Sequence, residues 1–234
     1  MTCIGVLGGM GPAATVDFMS KLVELTPASC DQEHLPVVVA NLPQVPDRSA
    51  AILGRGADPL PGLRRSVEIL NEAGAGVIAI PCNSSHHWYR ELCELSLAPI
   101  IHIVHACIER IPAGARRTMV LATRGTLASG FYQRELEAHG QHCVAPDPVR
   151  DQPFVDDCIR RVKAGDRAGA AASLQVMLDH AKAEGADVVI LGCTELPLAA
   201  AAGTDAHGML LIDSSLELAR AVVEYGLRSG WNHG

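Results

Sequence analysis

Seven short, continuous apolar runs recur along this 234-residue chain: CIGVLG (3–8), LPVVVANL (35–42), GVIAIP (76–81), PIIHI (99–103), TMVLAT (118–123), DVVILG (187–192) and MLLID (209–213). A weaker candidate is HCVAP (142–146). Strands that are apolar at successive positions are covered on both faces, as parallel strands are. Longer windows with helical spacing lie between them, among them ATVDFMSKLVELT, PGLRRSVEILNEAGA, FVDDCIRRVKAG and AGAAASLQVMLDHAKAEGA. Strand, helix, strand in succession predicts crossover connections and parallel sheets. The fold class is α/β, with doubly wound cores.

The pattern also repeats. IGVLGGMGPAATVDF (4–18) matches MVLATRGTLASGFY (119–132) at an offset of about 114. IAIPCNSS (78–85) matches VILGCTEL (189–196), and PIIHIVHACIERI (99–111) matches LLIDSSLELARAV (210–222), each at about 111. Three matches in one order at nearly one offset predict two pseudo-symmetric halves. They join near 112–118, where Pro112, Gly114, Arg116 and Arg117 break the pattern.

Composition narrows the partners. A net charge of −7 and a pI near 5.8 supply no basic surface for nucleic acid or an anionic membrane. Aromatic residues, at 3%, are too few for stacking platforms. No run of 18 apolar residues occurs, and Met1-Thr2-Cys3 leads directly into a strand with no basic leader. The expectation is a soluble, cytoplasmic protein. Its eight cysteines, at 3, 30, 82, 93, 107, 143, 158 and 193, form no C-x-x-C pair. In a cytoplasmic chain they read as reduced, mostly buried thiols. Cys82 and Cys193 stand apart, because each directly follows a strand in the repeated position.

Several chemistries compete for these residues. Gly9-Met10-Gly11-Pro12-Ala13-Ala14 fits a dinucleotide loop, but the second strand ends in Asn41 and Leu42, not in the acid that holds a ribose. A tight turn, with Pro12 opening a helix and free amides facing a small anion, is the better reading. Cys82, His86 and His87 match no common zinc spacing. A hydrolase pairing of Cys82 with His86 leaves Cys193 without a role. Two equivalent thiols, each at a strand's C-terminal end and before a helix, predict something else. A helix N-terminus favours thiolate over the ordinary thiol. Related halves that aim their thiols into one interdomain cleft suit inversion of a single carbon. One thiolate removes a proton and the other thiol returns one to the opposite face. Asn83 and Ser84, then Thr194 and Glu195, follow the thiols and are placed to hold an amino group and a carboxylate, besides capping the helices.

The stretches GVLGGMGPAAT, DQEHLPVVVANLPQVPDRSAAILG, PCNSSH, LATRGTLASG, RVKAGD and GCTELP resemble the cofactor-independent aspartate/glutamate racemase family, in its aspartate racemase branch. The resemblance runs from residue 4 to about residue 213. It implies two α/β domains, a small acidic amino acid as substrate, a homodimer, and neither pyridoxal phosphate nor metal. It also implies that the last strand and helix return to the first domain, giving 1–98 plus 209–234 and 99–208. Position by position, it makes Cys82 and Cys193 the catalytic thiols and Arg48 and Lys163 the cations for the distal carboxylate. It places Met10, Asn83, Ser84, Ser85, Thr126, Thr194 and Glu195 at the substrate. Ser84 and Ser85 stand where the family usually has Thr and often Ala, which makes the pocket roomier and leaves glutamate open beside aspartate.

The expected activity is therefore racemisation of aspartate or a related acidic amino acid by two cysteines without a cofactor. Maleate isomerase and hydantoin racemase activities also use paired cysteines, and a substrate screen separates them. A catalytically silent protein that holds an acidic metabolite is the rival from another class, and a turnover assay separates that one.

Overall fold

The computed structural model describes residues 2–232 and divides into two compact units. One takes the chain up to Ala106 together with the segment from Ser215 onward; the other is Cys107–Ser214.

The first unit is built on β1 (Cys3–Gly8), followed by α1 (Pro12–Leu25), β2 (Val37–Asn41), α2 (Arg48–Ile52) and α3 (Leu60–Glu72). β3 (Ala75–Ala79), a short 3-10 helix (Asn83–Trp88), α4 (Tyr89–Leu95) and α5 (Ile103–Ile108) come next. The sheet order is β2-β1-β3, all parallel. Every residue of β1 is buried, as the continuous apolar run requires. α3 buries Leu63, Val67 and Leu70, spaced to share one face, against Leu7, Ile78 and Ile80. Each such side chain contributes roughly 1.5–3 kcal/mol when fully removed from water.

The expected strand at 99–103 is a correction: it pairs at one residue only, Ile100 opposite Ile78. Ile78 donates to the Pro99 carbonyl at 2.9 Å, and Ile101 donates to the Ile78 carbonyl at 3.0 Å. Pro99 has no N–H to extend the ladder, and α5 already starts at Ile103.

The second unit runs β4 (Arg117–Ala122), α6 (Arg124–Ser129), α7 (Phe131–Ala138), β5 (His142–Val144), α8 (Gln152–Lys163) and α9 (Arg167–Ala183). β6 (Val188–Gly192), α10 (Glu195–Ala200) and β7 (Leu210–Asp213) complete it, in the parallel order β5-β4-β6-β7. Its core joins Leu121, Val189 and Leu191 of the sheet to Leu174, Met177 and Leu178 of α9. α11 (Ser214–Arg228) then leads into the C-terminal segment.

The two strand orders repeat each other. Ile78 pairs with Ile100 and Ile190 pairs with Ile212, both partners recurring at an offset of 112. The expected boundaries shift in two respects. β7 is hydrogen-bonded to β6 from Leu210 to Asp213, so that strand completes the second sheet and only the helix after it goes with the first unit. Residues 99–106 stay with the first unit, held through Ile78.

All eight cysteines are free thiols, but not all are buried: Cys30 and Cys93 are exposed and Cys143 is half-buried. Cys30 lies in an irregular link ahead of a short 3-10 helix, and Cys93 follows the buried Leu92 on α4 and faces outward. Among the described residues no helix is long and apolar enough to cross a membrane.

Candidate active site

β3 delivers Cys82 to the start of the 3-10 helix, with extended backbone (φ −150°, ψ 106°). The Cys82 amide donates to the Ile80 carbonyl at 2.7 Å, and the Ser85 amide donates to the Cys82 carbonyl at 3.2 Å. The thiol is 6% exposed and its sulfur lies 3.5 Å from the Ser84 hydroxyl. Asn83, Ser84, Ser85 and His86 are all buried. Four consecutive polar residues withdrawn from water are costly unless each is bonded, so this run has a structural or chemical use. Ser85 donates to the Met10 sulfur at 3.2 Å, and His86 reaches the Ile80 carbonyl through Nε2 at 3.2 Å. Burial pushes the His86 imidazole down to about 4, against its ordinary 6.5.

Met10 stands in the loop between β1 and α1. Gly9 there has φ +91°, and a Cβ on it would fall 2.5 Å from the Leu42 backbone, so only glycine fits. Pro12 opens α1 as expected. The expected row of free amides is not present in full: the Gly9 N–H donates to Thr15 Oγ1 at 2.9 Å. Arg48, at the start of α2, donates through Nη1 to the carbonyls of Val45 (3.1 Å) and Pro46 (2.9 Å) and through Nη2 to that of Met10 (3.2 Å). Asp47 caps the same helix by accepting from the Ala50 amide at 2.6 Å. In this structure Arg48 ties one loop to another, and α2 packs beside the 3-10 helix that follows Cys82. Its Nε is buried without a partner, leaving one donor uncommitted.

In the second unit β6 ends at Gly192 and Cys193 precedes α10. The Cys193 thiol, 8% exposed, donates to Glu195 Oε2 at 3.0 Å. Thr194 donates to the same oxygen at 3.1 Å. Lys163, the last residue of α8, brings Nζ to 3.8 Å from Glu195 Oε1, with its side chain 65% exposed. Burial pushes the Cys193 thiol well above its ordinary range, and the neighbouring Glu195 charge and hydrogen bond push further; the Glu195 backbone N–H, and after it Lys163, oppose them weakly. The helix terminus therefore does not win here: burial and a carboxylate outweigh it.

Thr126 is fully buried on the first turn of α6, hydrogen-bonded to Thr123 through both its hydroxyl (3.0 Å) and its amide (3.2 Å). The structure thus gathers Met10, Arg48, Cys82, Ser84 and Ser85 around one strand end, with Asn83 buried among them. It gathers Cys193, Thr194, Glu195 and Lys163 around the other.

Tyr132 has no place in the sequence reading, and His86 has a different one. Tyr132 is fully buried, hydrogen-bonded to Cys107 and Ser214, and burial first and Cys107 next keep its phenol un-ionised, with Cys193 adding to the effect. The repeat aligns Tyr132 with Phe18, also fully buried, so the signal was a hydroxyl added at a core position. His86 reads in sequence as a candidate zinc ligand or hydrolase base beside Cys82, both set aside there, while the structure makes it part of the turn.

The Asp/Glu/Hydantoin racemase family model matches residues 7–222 of the chain. The chain is 30% identical over 226 residues to the Broad specificity amino-acid racemase RacX of Bacillus subtilis (strain 168), covering 94% of this chain and 96% of that protein. Its structure superposes on the Picrophilus torridus aspartate racemase with a TM-score of 0.84 and 28% identity, over 97% of this chain and 94% of that one. A glutamate racemase from Francisella tularensis, solved with D-glutamate, shares the fold at a TM-score of 0.73 and 17% identity, over 98% of this chain and 82% of its own.

Proposed function

The chain belongs to the Asp/Glu/Hydantoin racemase family and is a racemase, an isomerase, and from that premise we propose that it interconverts L- and D-aspartate, or a close acidic relative, through Cys82 and Cys193. One observation carries this reading. Each thiol follows a parallel strand at the same place in the repeat, and each has as its polar partner the side chain two residues on, Ser84 for Cys82 and Glu195 for Cys193.

An α-proton is a far weaker acid than any side chain, and each pKa unit to be bridged costs about 1.4 kcal/mol. Without an electron sink, the developing carbanion must be stabilised by hydrogen bonds and cations. One thiolate takes the α-hydrogen from one face while the opposing thiol gives its proton to the other. The carbon is inverted and the two sulfurs exchange protonation states. Cys193, which Glu195 favours as a thiol, starts as the donor for one enantiomer, and the roles of the two sulfurs reverse for the other. A serine hydroxyl can donate to a thiolate, as Ser84 is placed to do for Cys82. Arg48 and Lys163 are assigned to the substrate's distal carboxylate. The same reading makes the enzyme a cytoplasmic homodimer that uses no pyridoxal phosphate, metal or nucleotide.

A second reading is favoured by Arg48, which spends three hydrogen bonds on carbonyls, and by Lys163, which is paired with Glu195. With both cations engaged, side chains other than acidic ones are tolerated, in keeping with the broad-specificity relative.

The test is incubation with each enantiomer of aspartate, glutamate and several neutral amino acids in deuterated water, followed by chiral analysis and mass spectrometry. Inversion accompanied by one α-deuterium per product supports the mechanism, and the substrate ranking separates the two readings. Failure to invert any of them would overturn both.

A further inference from the structure

We propose that His86 is a positioning residue for Cys82, holding the turn from which the thiol projects; its kinetic consequence rests on the racemase reading of Cys82. The Ile80 carbonyl receives two donors, the Cys82 amide at 2.7 Å and His86 Nε2 at 3.2 Å. A carbonyl only accepts, so Nε2 carries the hydrogen. The imidazole thereby closes a ring across the segment that contains Cys82 and Ser84, and Ile80 cannot swing away without breaking both bonds.

The ring is itself fixed. It stacks on Tyr89 (centroids 6.0 Å, 21°) and meets His102 edge-on (4.9 Å, 63°). Tyr89 in turn meets His102 edge-on at 4.5 Å and donates its hydroxyl to the Ile100 carbonyl at 2.9 Å. Ile100 is the residue bridged to Ile78 of β3. The support of the Cys82 turn therefore runs through three aromatic rings to the neighbouring backbone, and back into the strand that delivers the cysteine. Burial keeps the His86 ring neutral, so it offers one hydrogen and no charge.

His86→Phe keeps a ring of similar bulk and removes the donor, whereas His86→Gln keeps an N–H₂ donor at similar reach. Since displacing a reacting group by about 1 Å costs up to about 100-fold, His86→Phe should lower kcat by roughly 10- to 100-fold with KM little changed. His86→Gln should recover most of that loss. The second readout needs no turnover. In a Cys193→Ser background, site-resolved alkylation of Cys82 by iodoacetamide should accelerate at least roughly threefold in His86→Phe, because loosening exposes the thiol, and should stay near the parent rate in His86→Gln. Parent-like kcat and parent-like alkylation in a folded His86→Phe protein overturn the proposal. Should His86→Phe not fold, His86→Met against His86→Gln makes the same comparison, and equal behaviour of those two overturns it. Absence of racemisation in the wild type would instead sink the catalytic reading of Cys82, while the alkylation rates would still decide the role of His86.

Discussion

The Cys193 thiol donates its proton to the Glu195 carboxylate at 3.0 Å, so this sulfur is held in its acid form before any substrate arrives. Ionising it would set a thiolate against a carboxylate inside a buried site, opposed by the Glu195 backbone N–H and, more weakly, by the largely exposed Lys163. The equivalent position in the first half offers a hydroxyl, Ser84, at 3.5 Å from Cys82. A hydroxyl stabilises a thiolate and a carboxylate opposes one. Both thiols have a polar partner two residues on, and those partners differ in chemistry.

Glu195→Gln should therefore make Cys193 easier to ionise. Removing the charge deletes the coulombic cause that raises the thiol's pKa, so the midpoint of its pH-dependent alkylation moves down. Racemisation should fall by roughly 10- to 100-fold, because the donor is no longer reliably protonated. An unchanged alkylation midpoint would show that burial alone governs this thiol.

Cys82→Ser and Cys193→Ser should each abolish racemisation, since a serine hydroxyl is too weak a base to replace a thiolate. Each remaining thiol should still exchange the α-hydrogen of one enantiomer, with opposite preference in the two variants, as read by deuterium incorporation. Cys30→Ser and Cys93→Ser, both at exposed thiols, should turn over like the wild type. Full activity in either catalytic-site variant, free of wild-type contamination, would end the two-thiol mechanism.

Arg48 and Lys163 should separate in kind. Arg48 joins the Val45, Pro46 and Met10 carbonyls, so Arg48→Ala releases a loop as well as a cation; it should lower kcat, raise KM for aspartate and reduce Tm. Lysine cannot span three acceptors as a guanidinium does, so Arg48→Lys should recover little. Lys163, mostly exposed and in contact with Glu195 at 3.8 Å, should raise KM on truncation with little change in Tm. Unchanged kinetics in both Ala variants would remove them from the substrate site.

What could be read without coordinates was what local pattern dictates. Continuous apolar runs marked β1, β3, β4 and β6 because such strands have no polar face, and the repeat marked Cys82 and Cys193 because both follow a strand. Non-local hydrogen bonding was not legible. That Pro99 would cut a strand to one bridge depends on what faces it, and that β7 would complete the second sheet depends on β6. The roles of Arg48 and His86 were hidden for the same reason. A guanidinium aimed at carbonyls and one aimed at a carboxylate have the same sequence, and His86 acts on a carbonyl six residues back.

His86 also sets an acid limit on stability. Its imidazole lies near the ordinary 6.5 in the unfolded chain but is pushed down to about 4 by burial, with the neighbouring His105 acting in the same direction. Between these values the unfolded state binds the proton and the folded state does not, so stability present above pH 6.5 is lost as the pH falls toward 4. The loss attributable to this group is on the order of 2–3 kcal/mol by pH 4.5. His102 and His105 lie close by, so the comparison must be made against His86→Gln and not against the absolute curve. Urea unfolding at pH 7 and pH 4.5 should show a clearly smaller pH-dependent loss in His86→Gln than in the wild type. Equal losses in the two proteins would mean that His86 takes up its proton without unfolding the turn, and that the buried ring is not what limits stability in acid.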